Sequence, residues 1–234
     1  MSFLDELRLK QSDIMAKVVD RGAQALQGRL VAETKKVAAT IKGAVVLVPP
    51  TGAKSIKRAS EKVNTDYKGD WLEIKDMARC TLVVESPMLL DNAINAVRAH
   101  FRASNGFTVF EEKITLGALN TAGYSGITVF VSSGGNKGEI QINTPALMYA
   151  KSLKEFRDAL PHLEAMMKAT YPLVPGGLGH TLYESHRDKT KTEDVRRRYG
   201  NASKLYYNYF RSFPPNMNWG MMARDAVSKL IPPQ

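Results

Sequence analysis

The chain has 234 residues, and its 33 Lys and Arg against 23 Asp and Glu give a formal net charge of +10 at neutral pH. A hydrophobic content of 44% and a charged content of 24% are ordinary for a globular protein, which excludes a disordered chain and a fibrous repeat. The single cysteine, Cys80, excludes an internal disulfide and a cysteine-based metal site. The positive charge favours phosphate-bearing partners: nucleotides, nucleic acid or an anionic membrane.

The first twenty residues carry no recognisable targeting segment. Charges of both signs interrupt their apolar positions, unlike a secretory signal. No stretch of the sequence approaches the roughly 18 apolar residues of a membrane-spanning helix. We therefore expect a chain that acts in the cytoplasm without a membrane partner.

The N-terminal third of the chain predicts helices followed by one strand. Apolar residues recur at helical spacing over residues 4–40, and a break near Gly22 or Gly28 is expected to divide them into two helices. The apolar, β-branched run at 44–48 predicts a strand, which the loop at 49–52 ends. A basic helix is expected over 54–63.

The rest of the chain alternates helices and strands and then becomes helical. In order, the patterns predict a helix over 71–78, a buried strand at 80–85, a helix over 88–102, a strand at 107–111, and a hairpin of strands 126–132 and 139–143. Beyond Pro145 helices run to the end, with interruptions at Pro161, at 172–179 and at 214–215.

This order predicts an α/β (α+β) fold with a mixed sheet of about five strands flanked by helices. We expect an N-terminal helical segment at 1–43, a core at 44–156, and a C-terminal helical extension at 157–234 that packs on the core.

Polar residues gather at four places where predicted strands end. The first is the basic helix, in which Lys54, Arg58 and Lys62 are four residues apart and Ser55 lies at its start. Three cations on one helix face repel each other unless an anion lies between them, and a helix N-terminus is a favourable phosphate site. A solvated basic face is the simpler interpretation of this spacing alone.

The second and third places are less specific by themselves. Asp76 and Arg79 directly precede a buried strand, and a surface ion pair on a helix would explain them equally well. Tyr124 lies in a turn of small residues at the mouth of a strand, where its ring either faces a ligand base or closes the turn.

The fourth place is the last strand. Alternation puts Glu139, Gln141 and Asn143 on one face of this strand and isoleucines on the other. The polar row either faces solvent or faces a cleft. In a cleft, Glu139 could bind Mg²⁺ or accept a proton from a hydroxyl.

The C-terminal third carries two weaker patterns. His180 and Arg187 belong to a polar cluster at helical spacing that capping and packing would also explain. Arginines at 196–198 are followed by several tyrosines, as on RNA-contacting surfaces. Tyrosines at helical spacing usually pack in a core, so both interpretations stay open.

Taken in order, the segments AKSIKRASEKVNTDYKGDWLEIKDMARCTLVV, AGYSGITVFV and EIQINTPALMYAK resemble the RelA/SpoT family of alarmone synthetases. The resemblance covers residues 46–151, with a weaker echo in GLGHTLYESHR, and it points to the single-domain members that include toxins. It implies a nucleotidyltransferase-like fold and a Mg²⁺-dependent pyrophosphokinase, which moves the β,γ-diphosphate of ATP to the 3′-hydroxyl of a purine nucleotide. Because Arg79 follows Asp76 by three residues, as in the toxin and phage branch, a guanosine or an adenosine acceptor remains open.

The resemblance also implies roles for single residues. Asp76 would bind Mg²⁺, and Glu139 would complete the metal site or act as the base toward the 3′-hydroxyl. Tyr124 would stack on the acceptor base, Gln141 would order the site, and Arg79 would contact ATP. Phosphates would be held by Lys54, Arg58 and Lys62, and the further substrate contacts would be Ser55, Asn143, His180 and Arg187.

Two alternatives remain at this stage. The acceptor could be the 3′ end of tRNA, or the chain could be a degenerate nucleotide- or RNA-binding module without turnover. Besides nucleotides, the resemblance implies an antitoxin or immunity protein and a homo-oligomer as candidate partners.

Overall fold

The computed structural model describes residues 3–103, 106–115 and 126–231. It contains one five-stranded sheet of order β1-β2-β5-β4-β3. The strands are β1 (Val45–Leu47), β2 (Ala78–Val83), β3 (Thr108–Ile114), β4 (Ile127–Ser133) and β5 (Asn136–Asn143). The helices are α1 (Phe3–Ala39), α2 (Ile56–Asp66), α3 (Leu90–Ala103), α4 (Pro145–Lys151), α5 (Leu153–Ala159), α6 (Glu164–Thr170), α7 (Gly179–Arg187), α8 (Glu193–Arg211) and α9 (Met217–Ser228). The predicted α/β class and the number of strands are confirmed.

The chain divides into two compact units. The first comprises Met1–Leu82, Asn92–Glu112 and Thr128–Ile142 and holds most of the sheet with α1 and α2. The second comprises Val83–Asp91, Lys113–Ile127 and Asn143–Gln234 and holds the helices from α4 onward.

Helix α1 is continuous over residues 3–39, so the expected break near Gly22 or Gly28 is wrong. A glycine inside a helix costs only about 1 kcal/mol relative to alanine, which packing easily outweighs. At Gly22 the missing side chain allows a close contact, because a Cβ there would lie 1.7 Å from Oδ1 of Asn136 at the start of β5. Gly22 therefore lets α1 approach the β4–β5 hairpin.

The interior of the first unit lies between α1 and the sheet. Leu30 of α1 is fully buried, and a Cβ at Gly138 of β5 would lie 3.1 Å from its Cδ2 atom. The β4–β5 hairpin turns through Gly134 (φ +57°) and Gly135 (φ +80°), and two successive left-handed residues are typical of a tight hairpin turn. The predicted hairpin is confirmed.

The helix expected over 71–78 is wrong. A single 3-10 turn covers Trp71–Glu73, and β2 already begins at Ala78. Trp71, Ile74 and Met77 are buried at intervals of three residues, which imitates helical spacing. The carbonyl of Met77 instead accepts a hydrogen bond of 2.8 Å from the backbone N–H of Lys54, so this segment is held in an extended form.

The second unit is built on an aromatic core. Tyr206, Tyr209 and Phe210 of α8 are fully buried, and the ring of Phe210 packs against Tyr149 of α4 and Tyr171. These aromatic rings give the second unit its own hydrophobic core. Within the residues that the structure describes, no helix is both long and apolar enough to cross a membrane.

Candidate active site

Two lysines converge on one carboxylate in the first unit. Asp76 lies two residues before β2, and its Oδ2 atom accepts hydrogen bonds from Lys54 Nζ at 2.5 Å and from Lys62 Nζ at 2.9 Å. The expected common helix face is only partly correct, because α2 begins at Ile56 and Lys54 precedes it. Arg58 is exposed on α2, and Ser55 is the exposed N-cap residue of this helix.

This cluster keeps Asp76 ionised. Burial alone would raise the pKa of Asp76, but the charges and hydrogen bonds of Lys54 and Lys62 outweigh burial and lower it. Burial lowers the pKa of Lys54, with Asp76 opposing that shift. Burial also disfavours the charge of Lys62, but the negative charge of Asp76 prevails and raises its pKa.

The second oxygen of Asp76 is available to a ligand. Oδ1 is buried and has no hydrogen-bond partner among the described residues, although a carboxylate oxygen in this position normally has one. An oxygen of this kind fits a hard divalent cation such as Mg²⁺. No group of three or more His, Cys, Asp and Glu within the described ranges could hold a metal ion, so a metal on Asp76 would take further ligands from water or a substrate.

Glu139 supplies a second carboxylate. It lies on β5, which neighbours β2 in the sheet, and it is only 8% exposed. Gln141 donates a side-chain hydrogen bond to its Oε1 atom. Burial raises the pKa of Glu139, the bond from Gln141 opposes this shift, and the negative charge of Asp76 adds to it. The interpretation that Glu139 faces open solvent is therefore wrong.

Arg79 is the second residue of β2. Its positive charge lowers the pKa of both Glu139 and Lys54. Its Nε atom is buried and unpartnered among the described residues. The first unit therefore brings together five of the expected site residues around one group of charges, and they are Lys54, Lys62, Asp76, Arg79 and Glu139.

One residue near this site was missed by the sequence analysis. Gln27 of α1 is 7% exposed and bonds the backbone of Arg79 through both ends of its side-chain amide. The available signal was a glutamine next to Leu26 on the apolar side of α1, a position that favours a hydrophobic residue.

Four further expected site residues belong to the second unit or lie outside the described residues. Tyr124 is outside them, and its stacking role stays a prediction. Asn143 is buried at the end of β5. His180 is exposed in the first turn of α7, and the guanidinium of Arg187 lies 5.4 Å from the ring centroid of Tyr183. The substrate contacts of these residues also stay predictions.

The tyrosines of α8 pack in a core. Tyr206, Tyr207 and Tyr209 are each at most 1% exposed, so their rings are not available to stack on bases. Of the two interpretations of this segment, packing is confirmed and RNA stacking by these three rings is wrong.

No family model matches the chain. A curated relative, the (p)ppApp synthetase toxin Tas1 of Pseudomonas aeruginosa (strain UCBPP-PA14), is 34% identical over 191 residues, which cover 81% of this chain and 41% of Tas1. The chain therefore spans less than half the length of that relative.

Two solved structures are also similar. In the crystal structure of the complex between the Type VI effector Tas1 and its immunity protein, the effector is 30% identical with a TM-score of 0.68, over 83% of this chain and 95% of that one. The small alarmone synthetase 1 from Bacillus subtilis bound to its product pppGpp is 16% identical with a TM-score of 0.47, over 79% and 86% of the two chains.

Proposed function

This chain belongs to the RelA/SpoT family of alarmone synthetases, and from that premise we propose that it transfers the β,γ-diphosphate of ATP to the 3′-hydroxyl of a purine nucleotide. The observation that carries the proposal is the convergence of Lys54 and Lys62 on Oδ2 of Asp76, whose Oδ1 atom is buried and unpartnered among the described residues. Transfer between polyanions depends on cations that neutralise phosphate charge and on carboxylates that hold a metal ion.

Asp76 and Glu139 fit the role of holding Mg²⁺. Both are carboxylates at most 8% exposed, and the negative charge of Asp76 adds to the rise in the pKa of Glu139. When bound, Mg²⁺ stabilises the negative charge that builds up on the phosphates.

The lysines would exchange partners when the nucleotide arrives. Lys54 and Lys62 bind a carboxylate oxygen in the free protein, and the same ammonium groups can donate to phosphate oxygens of ATP. Arg79, and Arg58 one helical turn before Lys62 on α2, add further positive charge. These cations would hold the ATP donor.

Where Asp76 alone holds Mg²⁺, Glu139 is instead suited to accept the proton of the 3′-hydroxyl. A carboxylate with a raised pKa binds a proton more strongly than an ordinary one, which makes it a better base. The 3′-oxygen then forms a bond to the β-phosphorus of ATP. The bond between that phosphorus and the oxygen bridging the α- and β-phosphates breaks. AMP leaves with the electron pair of the broken bond, and Gln141 keeps Glu139 in place through its hydrogen bond.

An adenosine nucleotide is the acceptor that the comparison favours. Tas1 is a (p)ppApp synthetase toxin, and it was solved with an immunity protein. We propose a growth-inhibiting activity for this chain and a cognate immunity protein as its partner. The alternative acceptor, the 3′ end of tRNA, loses the support of the three α8 tyrosines, because their rings are buried.

The test is a transfer assay with γ-labelled ATP and Mg²⁺. Wild type, Glu139→Gln and the control Glu61→Gln, which changes an exposed carboxylate on α2, are each incubated with AMP, ADP, ATP, GDP, GTP or bulk tRNA. We expect label in an adenosine nucleotide with the wild type and the control, and none with Glu139→Gln. Label only in tRNA would show that tRNA, and not a free nucleotide, is the acceptor. ATP binding without transfer to any acceptor would favour a nucleotide- or RNA-binding module without turnover.

A further inference from the structure

Gln27 of α1 binds the backbone of Arg79 as a neighbouring strand would. Its Nε2 atom donates to the carbonyl of Arg79 at 2.9 Å, and its Oε1 atom accepts from the N–H of Arg79 at 2.8 Å. A residue in a sheet makes these two bonds with an adjacent strand. Here β1 has three residues and β2 has six, so β1 is too short to accompany β2 along its whole length.

Close packing of α1 brings Gln27 to this position. Leu26 and Leu30, on either side of Gln27, lie against Gly138 of β5, where a Cβ would be 3.3 Å and 3.1 Å from their Cδ2 atoms. One turn further, Thr34 Oγ1 lies 3.4 Å from the Sγ atom of Cys80, the residue after Arg79. The helix is thus in contact with both strands that carry the candidate active site.

We propose that Gln27 is a positioning residue, which fixes the backbone of Arg79 and thereby aims its guanidinium at the ATP donor. This inference rests on the proposed function, because it assigns ATP as the ligand of Arg79. Fixing both the N–H and the C=O of one residue fixes the direction of its Cα–Cβ bond, from which the side chain extends. Because the Nε atom of Arg79 is buried and has no partner among the described residues, a shift of its backbone would displace a hydrogen-bond donor that a phosphate could use.

The alternative is that Gln27 only stabilises the fold. A buried amide that satisfies two backbone groups stabilises a protein wherever it occurs, and its loss would then lower thermal stability without changing the affinity for ATP. The two roles predict different results in a double-mutant cycle, since residues that act through each other give non-additive effects.

The experiment measures binding of a non-hydrolysable ATP analogue with Mg²⁺ by calorimetry, together with the midpoint of thermal unfolding. The variants are Gln27→Met, Arg79→Ala and the double variant. Two controls are matched to Gln27: Gln24→Met changes an exposed glutamine of the same helix, and Thr34→Val disturbs the buried contact of the helix with Cys80.

We expect Gln27→Met to weaken binding of the analogue about tenfold and Arg79→Ala to weaken it at least as much. In the Arg79→Ala background, Gln27→Met should change the affinity less than twofold, and both controls should bind as the wild type does. If Gln27→Met does not fold, Gln27→Asn, which keeps the amide on a shorter side chain, should weaken binding by a smaller factor.

Each outcome decides between the possibilities. A wild type that does not bind the analogue overturns both the proposed function and this inference. A wild type that binds it, together with a Gln27→Met variant of unchanged affinity, overturns only the role of Gln27. Effects that add fully in the double variant would likewise show that Gln27 does not act through Arg79.

Discussion

Neutralising either carboxylate of the candidate active site should abolish transfer, but the two changes should affect the stability of the metal-free protein in opposite directions. Asp76 is paired with Lys54, and the two side chains are only 11% and 10% exposed. Removing one partner of a buried ion pair costs about 3–5 kcal/mol. In Asp76→Asn the amide oxygen can still accept a hydrogen bond from a lysine. We therefore expect a loss of stability at the lower end of this range, about 3 kcal/mol. For a chain of this size that loss corresponds to a fall of about 6–12 °C in the unfolding midpoint.

Glu139 behaves differently because its pKa is raised, not lowered. The unfolded chain releases this proton at a lower pH than the folded chain does, so ionisation of Glu139 favours unfolding as the pH rises. The penalty is absent below the ordinary pKa of glutamate and is complete above the raised value, at about 1.4 kcal/mol for each unit of difference. Glu139→Gln removes the penalty, so this variant should be as stable as the wild type at low pH and more stable near pH 8.

The assay is thermal unfolding in EDTA between pH 4 and pH 8, with the labelled-ATP assay run in parallel near pH 8. Glu61→Gln serves as the control for the loss of an exposed carboxylate and should match the wild type in both measurements. If Asp76→Asn and Glu139→Gln lowered the midpoint equally, the difference in environment inferred for the two carboxylates would be refuted.

Three further predictions concern other parts of the chain. Tyr206→Phe should lower the free energy of unfolding by about 1–3 kcal/mol, because the single proton of its buried hydroxyl is shared between the Ala150 and Pro175 carbonyls and its oxygen accepts from Leu178 N–H. Tyr199→Phe, which removes one longer bond of 3.4 Å, should cost less, and urea denaturation measures both. The Cys80 thiol should resist iodoacetamide at pH 8 in the folded protein, since burial raises its pKa to about 12, and mass spectrometry should detect rapid alkylation only in denaturant. Arg58→Ala should raise KM for ATP and leave the unfolding midpoint unchanged, because Arg58 is exposed; an unchanged KM would remove it from the site.

The sequence predicts the elements whose pattern is local. The β4–β5 hairpin follows from two adjacent glycines between apolar runs, and both glycines adopt the left-handed conformation that the turn requires. The helix predicted over 71–78 is wrong because the buried residues of this segment recur every three positions, as they would in a helix. A hydrogen bond from the distant Lys54 backbone decides its conformation, and no local pattern contains that information.

The site was predicted in its residue types but not in its geometry. Spacing alone put Lys54 on a helix that begins two residues later, and yet Lys54 reaches Asp76 because the chain leading into α2 runs beside the segment that precedes β2. Gln27 was missed because its partner is a backbone group 52 residues away. Contacts of this kind depend on how the helix packs against the sheet.

The contacts of helix α1 fix the number of residues between them. From Gly22 to Thr34 it meets Asn136, then Arg79 and Gly138, and finally Cys80, at different residues of the helix. One inserted residue would rotate every following side chain by about 100° and advance it by about 1.5 Å. No single adjustment of the helix could restore all these contacts, so insertions and deletions should be tolerated in the turn after Ala39 and not within this stretch.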